Sequence, residues 1–420
     1  MLAIIKHADL QPQDRATPSC PHFGSCGGCQ LQHLTYSAQL RNKASNIRTL
    51  LEPTGLSLPD LHLHPSTPFA YRNRIRLTLA EVDGQLRAGY LTFTPREASN
   101  RVARTTNLVF LPITECPIAA PILWRATETF LALIDESPTT WLRNPHCKLD
   151  QLEIFTTSDE SRLQLTLYIR TAIKSLPKKL AVDFTALCES LRTRIPELNG
   201  AGIAILPALS IQRSRRAEQP RPGPTWGAPG LNYTVSHPES RTMNLEPSLT
   251  FWVPREAFFQ INRFLLPELV ALLTNNRNGQ LAFDLYAGVG LFSRALATHF
   301  TQVTAVEIAG PAFAALISTK LTNLHHIKAT TLDFLRAAAL HRDRPDLIVL
   351  DPPRSGAGTE VCTLLARIAA PTLIYVSCSP ETLPADLITL CASGYCIAEL
   401  HLFDLFPQTT HIETVTILTR

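Results

Sequence analysis

Between about residues 65 and 245, apolar and polar positions alternate in short runs, which predicts strands joined by turns. NRIRLTLAEVDGQLRAGYLTF (73–93) alternates on both sides of an Asp-Gly pair and predicts a hairpin. DQLEIFTTSDESRLQLTLYIRT (150–171) predicts another. PILWRATETFLALIDE (121–136) predicts a helix among these strands. RRAEQPRPGPTWGAPG (215–230) is so rich in proline and glycine that it predicts a loop. Upstream, Leu40, Ile47, Leu50 and Leu51 recur at helical spacing before a Pro-Thr-Gly stop.

From about 250 the period changes. LAFDLYAGVG leads into LFSRALATHF, and QVTAVEIAG into PAFAALISTKLTNL; PDLIVLDPPRSG and PTLIYVSCSP follow. Short, fully apolar strands each followed by a helix predict an α/β fold, a parallel sheet covered on both faces. Ligands of such sheets bind at the carboxyl ends of the strands. Three segments result: 1–62 with a group of cysteines, 63–248 rich in strands, and 249–420 with alternating strands and helices.

Composition narrows the class. The chain has 420 residues, 45% hydrophobic, enough for two or three folded domains. No apolar run is long enough to span a membrane, and the first residues lack a cleavage-site pattern, so a cytoplasmic protein is expected. Ten cysteines are too sparse for a disulfide scaffold in a chain of this size. Net charge is only +4, but arginine concentrates in 71–79, 95–105 and 211–223. These stretches read either as solvated faces and loops or as a surface for phosphates.

The unusual residues fall at the predicted strand ends. Asp284 is followed by Gly288 and Gly290 in the turn, where the backbone can approach a ligand closely. The turn is neither a phosphate loop nor a G-x-G-x-x-G fingerprint. Asp-x-x-x-Gly-x-Gly resembles the first motif of S-adenosylmethionine-dependent methyltransferases. Glu307 ends the next strand, where a carboxylate can accept both hydroxyls of a ribose. Asp333 comes next, as an adenine-side contact or as the cap of a helix. Cys378 stands just past an apolar strand, in Ser-Cys-Ser-Pro, as a core thiol or a nucleophile. A thiolate adding to carbon-6 of a pyrimidine makes carbon-5 nucleophilic, and a base must later remove the carbon-5 proton. Glu413, two residues after His411, is placed to be that base.

FFQIN (258–262), FDLYAGVG (283–290), VEI (306–308), DPPRSG (351–356), SCSP (377–380) and HIETV (411–415) together resemble the RNA uridine-C5 methyltransferase family. The resemblance implies a C-terminal Rossmann-like methyltransferase domain behind a strand-rich, RNA-facing one. It implies that Gln260, Tyr286, Glu307 and Asp351 bind S-adenosylmethionine, that Cys378 is the nucleophile and that Glu413 is the base. Arg354 and Phe259 become candidates for the uracil or RNA. Arg354 occupies the place of the aromatic residue of amine methyltransferases and of the cysteine of RNA cytosine-C5 enzymes, and so argues against both.

Cys20, Cys26 and Cys29 lie within SCPHFGSCGGCQLQH (19–33), a spacing that suggests a metal or iron–sulfur site. By the resemblance, Cys116 in TECPI is a fourth, distant ligand of a [4Fe–4S] cluster. Zinc is the alternative, with His22 and His33 close by. The cluster favours 23S rRNA over tRNA as substrate. The stretch before the cysteines is too short for the small β-barrel of several ribosomal members, so that module is expected to be missing. A monomer is expected. The competing readings are a tRNA enzyme, an RNA cytosine-C5 methyltransferase, and a catalytically silent RNA-binding iron–sulfur protein.

Overall fold

The computed structural model describes residues 11–93, 108–136, 147–172, 178–207, 220–236 and 248–420. The arginine-rich stretch 95–105, and 211–219 of another, lie outside these residues; 71–79 lies within them.

In chain order, α1 (Tyr36–Leu51) and β1 (Leu61–His64) precede the hairpin of β2 (Arg74–Val82) and β3 (Gln85–Phe93). Next come β4 (Leu108–Pro112), α2 (Pro121–Glu136), β5 (Cys147–Thr156), β6 (Leu163–Thr171), α3 (Lys178–Arg194) and β7 (Leu198–Pro207). β8 (Arg221–Gly227), β9 (Gly230–Val235) and β10 (Leu249–Pro254) lead to α4 (Leu266–Thr274), β11 (Gly279–Leu285), α5 (Leu291–Leu296) and β12 (Phe300–Glu307). The chain continues through α6 (Pro311–Ser318), β13 (Leu324–Lys328), α7 (Thr331–His341), β14 (Leu347–Leu350) and α8 (Thr359–Ile368). It ends with β15 (Thr372–Ser377), α9 (Leu383–Ala392), β16 (Cys396–Phe403) and β17 (Glu413–Thr419).

Two compact units result, one of residues 18–32 and 69–231, the other of 33–68 and 232–420 with the residues up to Thr17. The cysteine segment 18–32 therefore groups with the strand-rich residues, and α1 with the C-terminal ones.

The first unit is a seven-stranded sheet in the order β4-β3-β2-β5-β6-β7-β8. Asp83 and Gly84, with φ of 52° and 75°, close the β2–β3 hairpin, the two left-handed residues that a two-residue turn requires. Only β6 and β7 run parallel, and α3 makes their crossover. α2 and α3 bring Leu123, Phe130, Phe184 and Leu191 into one core with Leu77, Ile154, Leu167 and Ile203 of the sheet. Each such fully buried side chain contributes roughly 1.5–3 kcal/mol. Arg221–Gly227 pairs with β7 despite its prolines and glycine, so the loop expected at 215–230 is in part a strand. It lies at the sheet edge, where proline's missing amide costs no ladder bond.

The second unit holds an eight-stranded sheet, β1-β16-β17-β15-β14-β11-β12-β13. β11 has parallel neighbours on both sides, β12 following it directly and β14 returning on the other edge. The carboxyl ends of β11 and β14 thus form the switch point where such sheets bind ligands. β17 runs antiparallel between β15 and β16.

α1 forms where its spacing predicts it, but its buried face is different. Ala38, Gln39, Asn42, Lys43, Ile47 and Leu51 are buried, whereas Leu40 and Leu50 are only partly so. Among the described residues no helix is long and apolar enough to cross a membrane.

Candidate active site and cysteine cavity

The turn after β11 is built from three left-handed residues, Tyr286, Gly288 and Gly290, with φ of 62°, 59° and 88°. Glycine adopts this conformation freely, but Tyr286 holds it at a cost, a strain typical of functional sites. A Cβ on Gly288 would meet nothing within 4 Å, so the turn is open on that side. A Cβ on Gly290 would lie 2.7 Å from Leu316 Cδ1, which ties the turn to α6. The Gly288 amide donates to Glu307 Oε2 at 2.8 Å, and the Ile308 amide to Oε1 at 3.0 Å. Both oxygens of Glu307 are thereby oriented, with lone pairs left for two further donors.

Asp284 lies beneath this turn, 1% exposed. Ser293 donates a short hydrogen bond to Oδ2, while Oδ1 accepts none among the described residues. Burial pushes its carboxyl up to about 7 against the Ser293 bonds, and Glu307 adds to the rise. Asp351 follows β14, its amide donating to Leu285 O at 3.3 Å, and burial and Asp284 push its carboxyl up to about 7.

The loop that Asp351 opens is gripped from α9. Asp386, buried, accepts from the Ala357 amide at 2.8 Å, the Gly358 amide at 3.1 Å and the Tyr375 hydroxyl at 2.6 Å. Three donors on one carboxylate fix the backbone beyond Arg354, which is itself exposed.

β15 and β17 bring the nucleophile and base candidates together. Their ladder ends at the pair Ser377–Thr414, so Cys378 and Glu413 occupy the next step. On its other side Glu413 pairs with Phe403. Cys378 is half-buried and Glu413 is 3% exposed. Burial, then Glu413 and Asp351, push the Cys378 thiol up to about 11, opposed by Arg354. Burial and Asp351 also push Glu413 well above the usual carboxylate range, again against Arg354. Near neutral pH the resting Cys378 is therefore a thiol, and one guanidinium favours ionisation of both side chains.

Gln260 lies half-buried between β10 and α4. Phe259, a candidate for the uracil or RNA, is instead 3% exposed, with its ring tilted 4.6 Å from Tyr233. Its neighbour Phe258 is 67% exposed and points away from that core. Thr330, not Asp333, caps α7: the Asp333 amide donates to Thr330 Oγ1 at 3.1 Å, and the Thr330 hydroxyl donates to the Asp333 carboxylate at 2.7 Å. His411 is exposed, its ring edge-on to Phe406 at 5.7 Å.

Sequence reasoning passed over Asp386, Gln39, Lys43 and Asn262. Asn262 Oδ1 accepts from the Phe264 and Leu265 amides, both at 3.0 Å, while Nδ2 donates to Leu405 O at 3.1 Å. A readable signal existed for α1, since Gln39 and Lys43 share the four-residue stripe of Ile47 and Leu51.

Cys20, Cys26, Cys29 and Cys116 line one cavity of about 320 Å³, together with Arg72 and Tyr90. Burial and the neighbouring thiols push Cys26 and Cys29 up, and Cys116 to about 11. Arg72 opposes this at Cys29 and Cys116. His22 Nε2 accepts from the Thr114 amide at 3.0 Å, and His33 does not line the cavity. Among the described residues no three His, Cys, Asp or Glu side chains are grouped so as to hold a metal ion.

Residues 249–420 match the model of the tRNA (Uracil-5-)-methyltransferase family. An uncharacterized RNA methyltransferase of Enterococcus faecalis is 26% identical over 97% of this chain and 85% of its own. The 23S rRNA (uracil(1939)-C(5))-methyltransferase RlmD of Halomonas elongata is 29% identical over 96% of this chain and 77% of its own. The crystal structure of Pyrococcus abyssi tRNA (uracil-54, C5)-methyltransferase with S-adenosyl-L-homocysteine covers 94% of this chain and 86% of its own. It superposes with a TM-score of 0.66 at 21% identity, a likeness of fold. With the switch-point turn, the acids at the strand ends and these matches in hand, residues 249–420 are placed in the RNA uracil-C5 methyltransferase family, enzymes that draw on S-adenosylmethionine.

Proposed function

We propose that this protein methylates carbon-5 of a uridine in 23S rRNA, with Cys378 as nucleophile and Glu413 as base. The observation that carries the reading is the ladder step shared by these two residues beside the Asp351 loop. The choice of 23S rRNA rests on the relatives that bear that name in Halomonas elongata and Chromohalobacter salexigens.

Tyr286, Glu307, Asp351 and Gln260 would hold S-adenosylmethionine. Its fit is supported by the open turn at Gly288 and by the carboxylate of Glu307, oriented for two hydroxyls. When bound, it supplies an electrophilic methyl group on a sulfonium. Cys378 loses its proton to solvent as Arg354 offsets the nearby carboxylates, and its sulfur adds to carbon-6 of the uracil. The electron pair of the carbon-5–carbon-6 double bond moves toward the carbon-4 oxygen, which makes carbon-5 the nucleophile that would take the methyl group as the sulfonium becomes a neutral thioether. Glu413, in its carboxylate form, takes the proton from carbon-5; the double bond re-forms and the Cys378 sulfur leaves. A carboxylate that burial makes more basic suits this proton transfer.

Cys20, Cys26, Cys29 and Cys116 would hold a [4Fe–4S] cluster. Four thiols lining one cavity, a donor set without histidine at the spacing of the N-terminal cysteines, support this reading. When bound, it would supply a cross-link between residues 20–29 and Cys116, with no part in the polar chemistry.

The test is nucleoside mass spectrometry of 23S rRNA and tRNA from cells with and without the gene. Loss of 5-methyluridine from 23S rRNA is expected. Loss from tRNA alone would overturn the choice of substrate, and methylcytidine as product would overturn the reaction.

A further inference from the structure

α1 carries polar side chains where a packed helix normally carries apolar ones. Lys43 is 1% exposed, and its Nζ donates to Asp404 Oδ1 at 2.6 Å and to Phe406 O at 3.0 Å. One turn earlier, Gln39 Nε2 donates to Gln408 Oε1 at 2.9 Å, and Gln39 Oε1 accepts from the Gln408 amide at 3.0 Å. Gln408 has a φ of 68°, a left-handed conformation that a non-glycine residue adopts only at a cost. Gln39 thus satisfies both the backbone and the side chain of a strained residue.

Every one of these partners lies on the connection 404–412 between β16 and β17. Most of that connection is buried. It is also held by Asn262 at Leu405 O and by His64 O, which accepts from the Asp404 amide at 3.0 Å. Its downstream end is Glu413. Burial lowers the Lys43 ammonium's hold on its proton, and the Asp404 carboxylate offsets part of that loss. A buried ion pair is often no better for stability than apolar packing, yet it tolerates only a narrow geometry. That makes it a poor source of stability and a good means of selecting one loop conformation. A base must stand within hydrogen-bond reach of the proton it takes, and small displacements cost large factors in rate.

We propose that Gln39 and Lys43 are positioning residues, which hold the 404–412 connection so that Glu413 meets its proton beside Cys378. This rests on the assignment of Glu413 as the base. They touch neither substrate nor cofactor; their effect passes through Asp404, Phe406 and Gln408. The step they serve is the second half of the reaction, proton removal and release of the cysteine, rather than addition or methyl transfer.

The experiment is a single-turnover assay of the full chain with a 23S rRNA fragment and S-adenosylmethionine. It follows methyl transfer and the breakdown of the denaturation-resistant protein–RNA adduct separately. The variants are Gln39→Met and the pair Lys43→Met with Asp404→Asn, which removes both charges and strands neither. Methyl transfer is expected to stay within about threefold while adduct breakdown slows about tenfold or more, so that methylated adduct accumulates. Adduct breakdown at the wild-type rate in the variants would overturn the proposal, and so would an equal fall in both steps. If the paired variant does not fold, Gln39→Met decides alone. A wild-type protein giving neither methyluridine nor adduct would overturn the proposed function on which the base assignment rests, and this inference with it.

Discussion

Cys378 and Glu413 stand at adjacent strand ends, one step beyond the last ladder pair of β15 and β17, Ser377–Thr414. The antiparallel ladder brings the two strand ends side by side, and the segments that flank them complete the placement of each side chain. Removing the carboxylate should separate the two halves of the reaction. Glu413→Gln is expected to lower turnover about 10²–10⁴-fold and leave a covalent protein–RNA adduct visible on a denaturing gel. Cys378→Ala should give no adduct and no methyluridine; activity near wild type in that variant would exclude the nucleophile.

Arg354 opposes the upward push on both Cys378 and Glu413. Taking it away should move the thiol above its value of about 11, leaving less thiolate at any given pH. In Arg354→Ala, alkylation of Cys378 by iodoacetamide, followed by peptide mass spectrometry, should be slower at pH 8 and rise only at more alkaline pH. An unchanged pH profile would show that the guanidinium does not act on the thiol.

Asp284 is a buried carboxyl raised from 3.8 to about 7. Between these values the unfolded chain is ionised and the folded one keeps its proton, so the folded state loses stability as pH rises. Above about 7 the loss is complete, on the order of 4 kcal/mol. Asp284→Asn removes the ionisation. Its melting temperature relative to wild type should climb between pH 4 and 7 and then level off; a constant difference would contradict the shift.

Glu307 and Gly288 should separate binding from strain. Glu307→Gln is expected to weaken S-adenosylmethionine binding by about tenfold or more, read by calorimetry, because hydrogen bonds to a charged group are worth about 1.5–3 kcal/mol. Gly288→Ala places its Cβ in open space but strains φ at 59°, so a loss of stability of about 1 kcal/mol should accompany it.

The cysteine cavity and the active site lie in different compact units. Cys116→Ser should therefore abolish bound iron and sulfide in anaerobically purified protein while S-adenosylmethionine affinity stays within about twofold. Zinc in place of iron and sulfide would overturn the cluster.

Much of this was readable in the chain. Short apolar strands followed by helices specify a parallel sheet, and the turn at Gly288 can be seen because glycine is the residue that left-handed backbone requires. Other features were hidden because they depend on pairing at long range. Phe258 and Phe259 are adjacent and alike in sequence, and only packing against Tyr233 decides which one is buried. The 221–227 strand reads as a loop because its composition opposes regular structure, and the ladder with β7 overrides it.

The strand–helix alternation, the motifs at the strand ends and the residue types that the chemistry needs follow from local periodicity and spacing. That Cys378 stands beside Glu413, that Asp386 grips the DPPRSG loop, and that Lys43 and Gln39 face residues 404–408 follows from the folded chain alone. One cause underlies all three. These contacts join segments far apart in the chain, and hydrogen bonds across such distances are set by the register of the sheet and by what burial leaves unpaired.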